Sequence, residues 1–87
     1  MERMINKPIQ AIVSFREDGK MLPLWIKYER NDLVVETLKV ENVNSQKQPG
    51  LNHIIYECWV TLEDRRCLVE LLYEIPQHTW TLYKALT

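Results

Sequence analysis

The side chains here that could do chemistry are two cysteines, two histidines and twelve carboxylates, and their spacing offers little. Cys58 and Cys67 would need further ligands at short spacing, such as Cys-x-x-Cys units, to hold a metal, and the chain has none. A disulfide between them would bridge neighbouring antiparallel strands in strained geometry. They read as two free thiols packed inside. His53 and His78 stand at strand ends or turns, outside any ligand cluster, and read as solvated turn residues. Glu57, Glu63, Asp64, Glu70 and Glu74 supply carboxylates without singling out an acid–base pair, and Glu57, Glu70 and Glu74 read as a solvated strand face.

No nucleophile elbow, phosphate loop or metalloprotease signature occurs. Gly19 and Gly50 are the only glycines, too few for a phosphate-cradling loop. The expectation is a protein that is not an enzyme, with no cofactor and no metal.

A second kind of chemistry is stacking and phosphate binding. Lys27, Arg65 and Arg66 are the basic residues that could flank Trp25 or Trp59 as a platform for a single nucleic-acid strand. Against it, Glu17, Asp18, Glu63 and Asp64 sit in the same turns as the basic residues. Net charge is −1 and the pI about 6.1. Residues 1–44 carry 7 basic and 7 acidic side chains and residues 45–87 carry 4 and 5, so neither half is a basic arm. A binder driven mainly by counterion release is disfavoured.

The elements that must position these residues are strands. With 87 residues and 46% hydrophobic composition, the chain supports one core. Alternation predicts strands over Ile9–Phe15, Met21–Glu29, Leu33–Val43, His53–Leu62, Cys67–Ile75 and Trp80–Ala85. Asp18-Gly19 is a hairpin signal. As a two-residue loop it pairs Phe15 with Leu22, Val13 with Leu24, Ala11 with Ile26 and Ile9 with Tyr28. A Glu63-Asp64 loop pairs Val60 with Cys67, Cys58 with Val69, Tyr56 with Leu71 and Ile54 with Tyr73. A Gln77-His78 loop pairs Ile75 with Trp80 and Tyr73 with Leu82. An Asn31-Asp32 loop pairs Tyr28 with Val35 and Lys27 with Glu36, and needs a bulge near Glu36-Thr37 to return Leu38 and Val40 inward. The one long polar connector is Asn44–Asn52.

The fold expected is all-β: one small antiparallel meander forming a barrel or roll of five to six strands, with residues 1–7 as a short lead and 8–87 as a single domain. The expected core is Ile9, Ala11, Val13, Phe15, Leu22, Leu24, Ile26, Tyr28, Val35, Leu38, Val40, Ile54, Tyr56, Cys58, Val60, Cys67, Val69, Leu71, Tyr73, Ile75, Trp80 and Leu82.

The same registers leave the opposite face unusually apolar. Ile12 falls opposite Trp25, Trp59 opposite Leu68, and a row Ile55–Leu72–Tyr83 crosses three strands. Contiguous apolar surface anchored by Trp and Tyr marks an interface. A loop or terminus folded over this face would account for it equally well. No apolar run is long enough to span a bilayer and no signal-peptide core opens the chain, which predicts a cytoplasmic protein with no membrane contact.

Pro8-Ile9 at the first strand, Asp18-Gly19 at its turn, Pro23 with Trp25, Leu72-Tyr73 and Trp80-x-Leu82-Tyr83-Lys84 together make a pattern. Over Pro8 to Leu86 it resembles small uncharacterised bacterial β-proteins, some of them found beside or fused to translesion DNA polymerases. The resemblance implies a DNA-repair setting and carries over no catalytic residues. Two functions follow as expectations. The first is a non-enzymatic protein-interaction module, binding itself or another protein through Ile12, Trp25, Ile55, Trp59, Leu68, Leu72 and Tyr83. The alternative is a nucleic-acid-binding accessory domain using Lys27, Arg65 and Arg66.

Overall fold

A computed structural model describes residues 2–29, 34–46 and 52–87. The alternating β-branched and aromatic runs form seven strands: β1 (Arg3–Phe15), β2 (Met21–Glu29), β3 (Val35–Lys39), β4 (Glu41–Gln46), β5 (His53–Leu62), β6 (Arg65–Glu74) and β7 (Thr79–Ala85). All neighbouring pairs are antiparallel. They build one sheet in the order β3-β2-β1-β7-β6-β5-β4, curled into a half-barrel. The all-β class is as expected, with seven strands in place of five to six. Among the described residues no helix is long and apolar enough to cross a membrane.

The additional strand comes from splitting one expected run. Leu33–Val43 reads as a single strand, yet its described part is divided at Val40. Val40 is buried, and its N–H donates to the Leu24 carbonyl at 2.9 Å. β3 pairs with β2 and β4 pairs with β5, so two consecutive strands lie on opposite edges of the sheet. Past Val40, the ladder to β5 shifts register between Glu41 and Asn44, where Asn42 takes φ 52°. This bulge turns Val43 back against the core that Leu38 and Val40 enter, despite the uneven spacing. Asn44, Ser45 and Gln46, expected in the polar connector, belong to β4. Residues 47–51 of that connector and the Asn31-Asp32 loop lie outside the described residues.

Turn chemistry sets the registers. Glu63 and Asp64 take φ of 50° and 63°, the paired left-handed conformations of a two-residue hairpin turn. The β5–β6 ladder follows without a break, and all four expected pairs are present. At the first hairpin, Gly19 N–H donates to the Arg16 carbonyl at 2.9 Å and Arg16 N–H to the Lys20 carbonyl at 2.8 Å. The loop is therefore Glu17-Asp18-Gly19, with Gly19 at φ 85° in the left-handed position such a three-residue loop requires. Phe15 meets Met21 and Val13 meets Pro23, each one residue from expectation. A bulge at Leu24 then restores the register, so Ile12 meets Trp25 and Ala11 meets Ile26 as expected.

Two further ladders differ. β2–β3 is regular with Tyr28 opposite Glu36 and Lys27 opposite Thr37, one residue from expectation and without a bulge at Glu36-Thr37. In β6–β7, Tyr73 meets Trp80 and Leu71 meets Leu82. The turn there takes in Ile75 to His78, with His78 N–H donating to the Ile75 carbonyl at 3.3 Å and His78 at φ 56°. The shift is by two residues, so Trp80 and Leu82 still face inward and are buried.

The curl comes mainly from β1. It starts at Arg3, well before the expected Ile9. Its first part, Arg3 to Ile9, pairs with β7, and its second part, Gln10 to Phe15, pairs with β2. Ile9 is therefore opposite Trp80, not Tyr28. The β1–β2–β3 arm folds over the β7–β6–β5–β4 arm, and Tyr56 spans the interior between them. Its hydroxyl donates to the Met21 carbonyl at 2.7 Å, and its ring lies 5.3 Å from that of Trp80. Around it pack Ile26, Val60, Val69, Leu71 and Leu82.

Three expected core residues are exposed instead: Phe15 at 71%, Leu24 at 42% and Val35 at 58%. Phe15 stands at the hairpin end, Leu24 is the bulge residue, and Val35 opposite Glu29 lies on the outer parity of a slipped register. Ile75 is half-buried in its turn. Pro23, Met21 and Ala85 enter the interior unannounced by the pattern.

Candidate functional site

The outward apolar residues fall into two groups on the two arms. On the β5–β6 hairpin, Ile55 lies opposite Leu72 and Trp59 opposite Leu68, as expected, and all four are half-buried. The expected continuation to Tyr83 does not occur. Leu72 faces Thr81 across the next ladder, and Thr81 faces Pro8 beyond it. Tyr83 is the unpaired residue where the β6–β7 register shifts between Glu70 and Leu71. The longer turn before β7 moved the register, and nothing in the local pattern marks this bulge.

On the β1–β2 arm, Ile12 pairs with Trp25, and the bulge sets two residues, Leu24 and Trp25, against the single Ile12. Ile12 is 50% exposed and Trp25 39%, so together with Leu24 they form an open apolar group on adjoining strands. Alternation assigned Leu24 to the interior. Detecting the three-residue loop from Glu17-Asp18-Gly19 would have moved it outward.

The expected basic residues are divided. Arg65 and Arg66 open β6, opposite Leu62 and Thr61. The Arg66 guanidinium carbon lies 4.7 Å from the Trp59 ring centroid, a cation–π contact on the outer face. Lys27 stands on β2 between Gln10 and Thr37 and lines a separate cleft with Pro8 and Gln10. Lys7, from β1, bonds the Glu29 carbonyl and sits over the Tyr28 ring at 4.8 Å. Arg3, which the sequence did not single out, joins Arg65 and Arg66 around one cleft.

Tyr73 and His78 share a hydrogen bond of 2.7 Å that ties the β6–β7 turn to its strand. His53 is half-buried opposite Glu74 at the start of β5. Among the described residues no group of three or more His, Cys, Asp or Glu is placed to hold a metal. Both cysteines are free, Cys58 buried and Cys67 half-buried.

Burial, and then the Glu57 carboxylate, push the Cys58 thiol from its ordinary 9.0 up to about 12. The folded state thus favours the neutral thiol. That contribution to stability is full below pH 9.0 and is lost as pH rises towards about 12. A thiol reagent near neutral pH is expected to label Cys67 first and to reach Cys58 only in denaturant. Mass mapping of the labelled sites checks this, and equal labelling rates would contradict it.

No known family model matches the chain, and no curated protein or solved structure matches it.

Proposed function

We propose that this domain is a non-enzymatic interaction module. It associates with a second copy of itself or with another protein through Ile12, Leu24 and Trp25. The observation that carries this reading is that these three exposed apolar residues meet at the β1–β2 bulge. Single exposed apolar residues are ordinary, but a grouped set with a tryptophan at its centre is what interface hot spots use. The half-buried Ile55, Trp59, Leu68 and Leu72 have less surface left to offer a partner. Two free thiols fit a cytoplasmic setting, where they stay reduced.

The test uses Trp25→Glu and Ile12→Lys, both on the outer face. Circular dichroism should report an unchanged fold. Sedimentation across a concentration series, with tagged capture from lysate, should report loss of the complex. The expected loss is about thirtyfold in affinity or more, the effect of removing a hot-spot side chain. A mass multiple that disappears identifies self-association, and a lost second protein identifies a heterologous partner. If both variants keep wild-type assembly and partners, the proposal fails.

A further inference from the structure

Three arginines from two separate strands converge on one cleft. Arg3 comes from the start of β1, and Arg65 and Arg66 from the start of β6. Together they line a cleft of about 590 Å³ whose walls also carry Tyr28, Glu2 and Glu63. Glu2 is already engaged by Lys84 at 2.7 Å, while Arg3 and Arg65 make no ion pair among the described residues. The side chains lining the cleft therefore carry three positive charges against two negative, one of which Lys84 already engages, in a chain whose net charge is −1. All three arginines are exposed, so their donors remain open to a ligand.

Arg66 links this cleft to a flat apolar surface. It lines the cleft and also lies over the outward Trp59 ring at 4.7 Å. A guanidinium can stack on an aromatic face and still present edge donors to an oxyanion. An indole with a guanidinium over its face, joined through that guanidinium to a cleft lined by two more, is an arrangement that can hold a base next to its phosphate.

We propose that this cleft binds single-stranded nucleic acid, with Arg3 and Arg65 on backbone phosphate oxygens and a neighbouring base stacked at Trp59 and Arg66. An acidic peptide would use the guanidinium groups and leave the indole unused, and so would free phosphate. The site is distinct from the Ile12–Leu24–Trp25 group, so either can fail without the other.

The test titrates the full chain with fluorescein-labelled oligothymidylate at low ionic strength, following anisotropy and tryptophan emission. Polyglutamate and inorganic pyrophosphate serve as comparison ligands. Binding should quench tryptophan, and log K should fall with log salt at a slope of about −1.4 for the two phosphate contacts. Replacing Arg3→Gln and Arg65→Gln together should reduce that slope by roughly 1.4. Trp59→Phe should remove the quench while keeping most of the affinity, since Trp80 is buried and Trp25 lies on the other arm. Absence of an anisotropy rise, or an unchanged slope in the double variant, overturns the proposal. So does pyrophosphate or polyglutamate binding as tightly as the strand.

Discussion

Tyr56→Ala is expected to remove about 3–5 kcal/mol of stability, a large share of the roughly 5–15 kcal/mol that a small domain has. The side chain is fully buried between the two arms and touches both, through the Trp80 ring on β7 and the Met21 carbonyl on β2. Burial, and then the neighbouring Tyr73, push its hydroxyl pKa up, so it stays protonated and available to donate. Tyr56→Phe separates the two contributions. It keeps the ring and leaves the Met21 carbonyl without that donor, for an expected cost of about 1–3 kcal/mol. Urea denaturation midpoints at constant slope measure both. A phenylalanine variant as stable as the parent would show that the hydroxyl contributes nothing to joining the arms.

Val40→Asp is expected to cost about 3–5 kcal/mol at neutral pH, because it places an unpaired charge in the interior. Val40 is the single residue between β3 and β4, is buried, and donates its N–H to the bulged Leu24. The loss should shrink as acid neutralises the new carboxylate. Val40→Thr keeps the shape and introduces only a hydroxyl, for about 1–3 kcal/mol. Thermal unfolding followed at two pH values distinguishes them. An aspartate variant with parental stability would mean that the turn at Val40 does not need an apolar side chain.

What was legible in the sequence follows from how locally each feature is encoded. The β5–β6 ladder is complete in the pattern, because a two-residue turn at Glu63-Asp64 leaves one register and the strands carry no bulge. The first hairpin was readable at Ile12–Trp25 and Ala11–Ile26, but the Gly19 turn and the Leu24 bulge offset one another, and alternation cannot detect a pair of compensating insertions. The division at Val40 was invisible for another reason. Apolar spacing continues through it, and which partner each half takes depends on strands distant in the chain. For the candidate site, the Ile12–Trp25 pair was readable and Leu24 was not. Arg65 and Arg66 were readable as basic turn residues, while Arg3 joins them only because β1 lies beside the last strand.

The sheet order has a consequence for biosynthesis. β7 is last of the seven in the chain and fourth in the sheet, between β1 and β6. Until it leaves the ribosome, hairpin β1–β2 and hairpin β5–β6 can each form, but neither can complete the sheet with the other. At roughly 5–20 residues per second, the nascent chain carries two unpaired inner edges for a few seconds. Those edges are templates for pairing with other chains. Closure of this sheet is therefore gated by one seven-residue strand, and the interval before that strand emerges is when a chaperone would matter most.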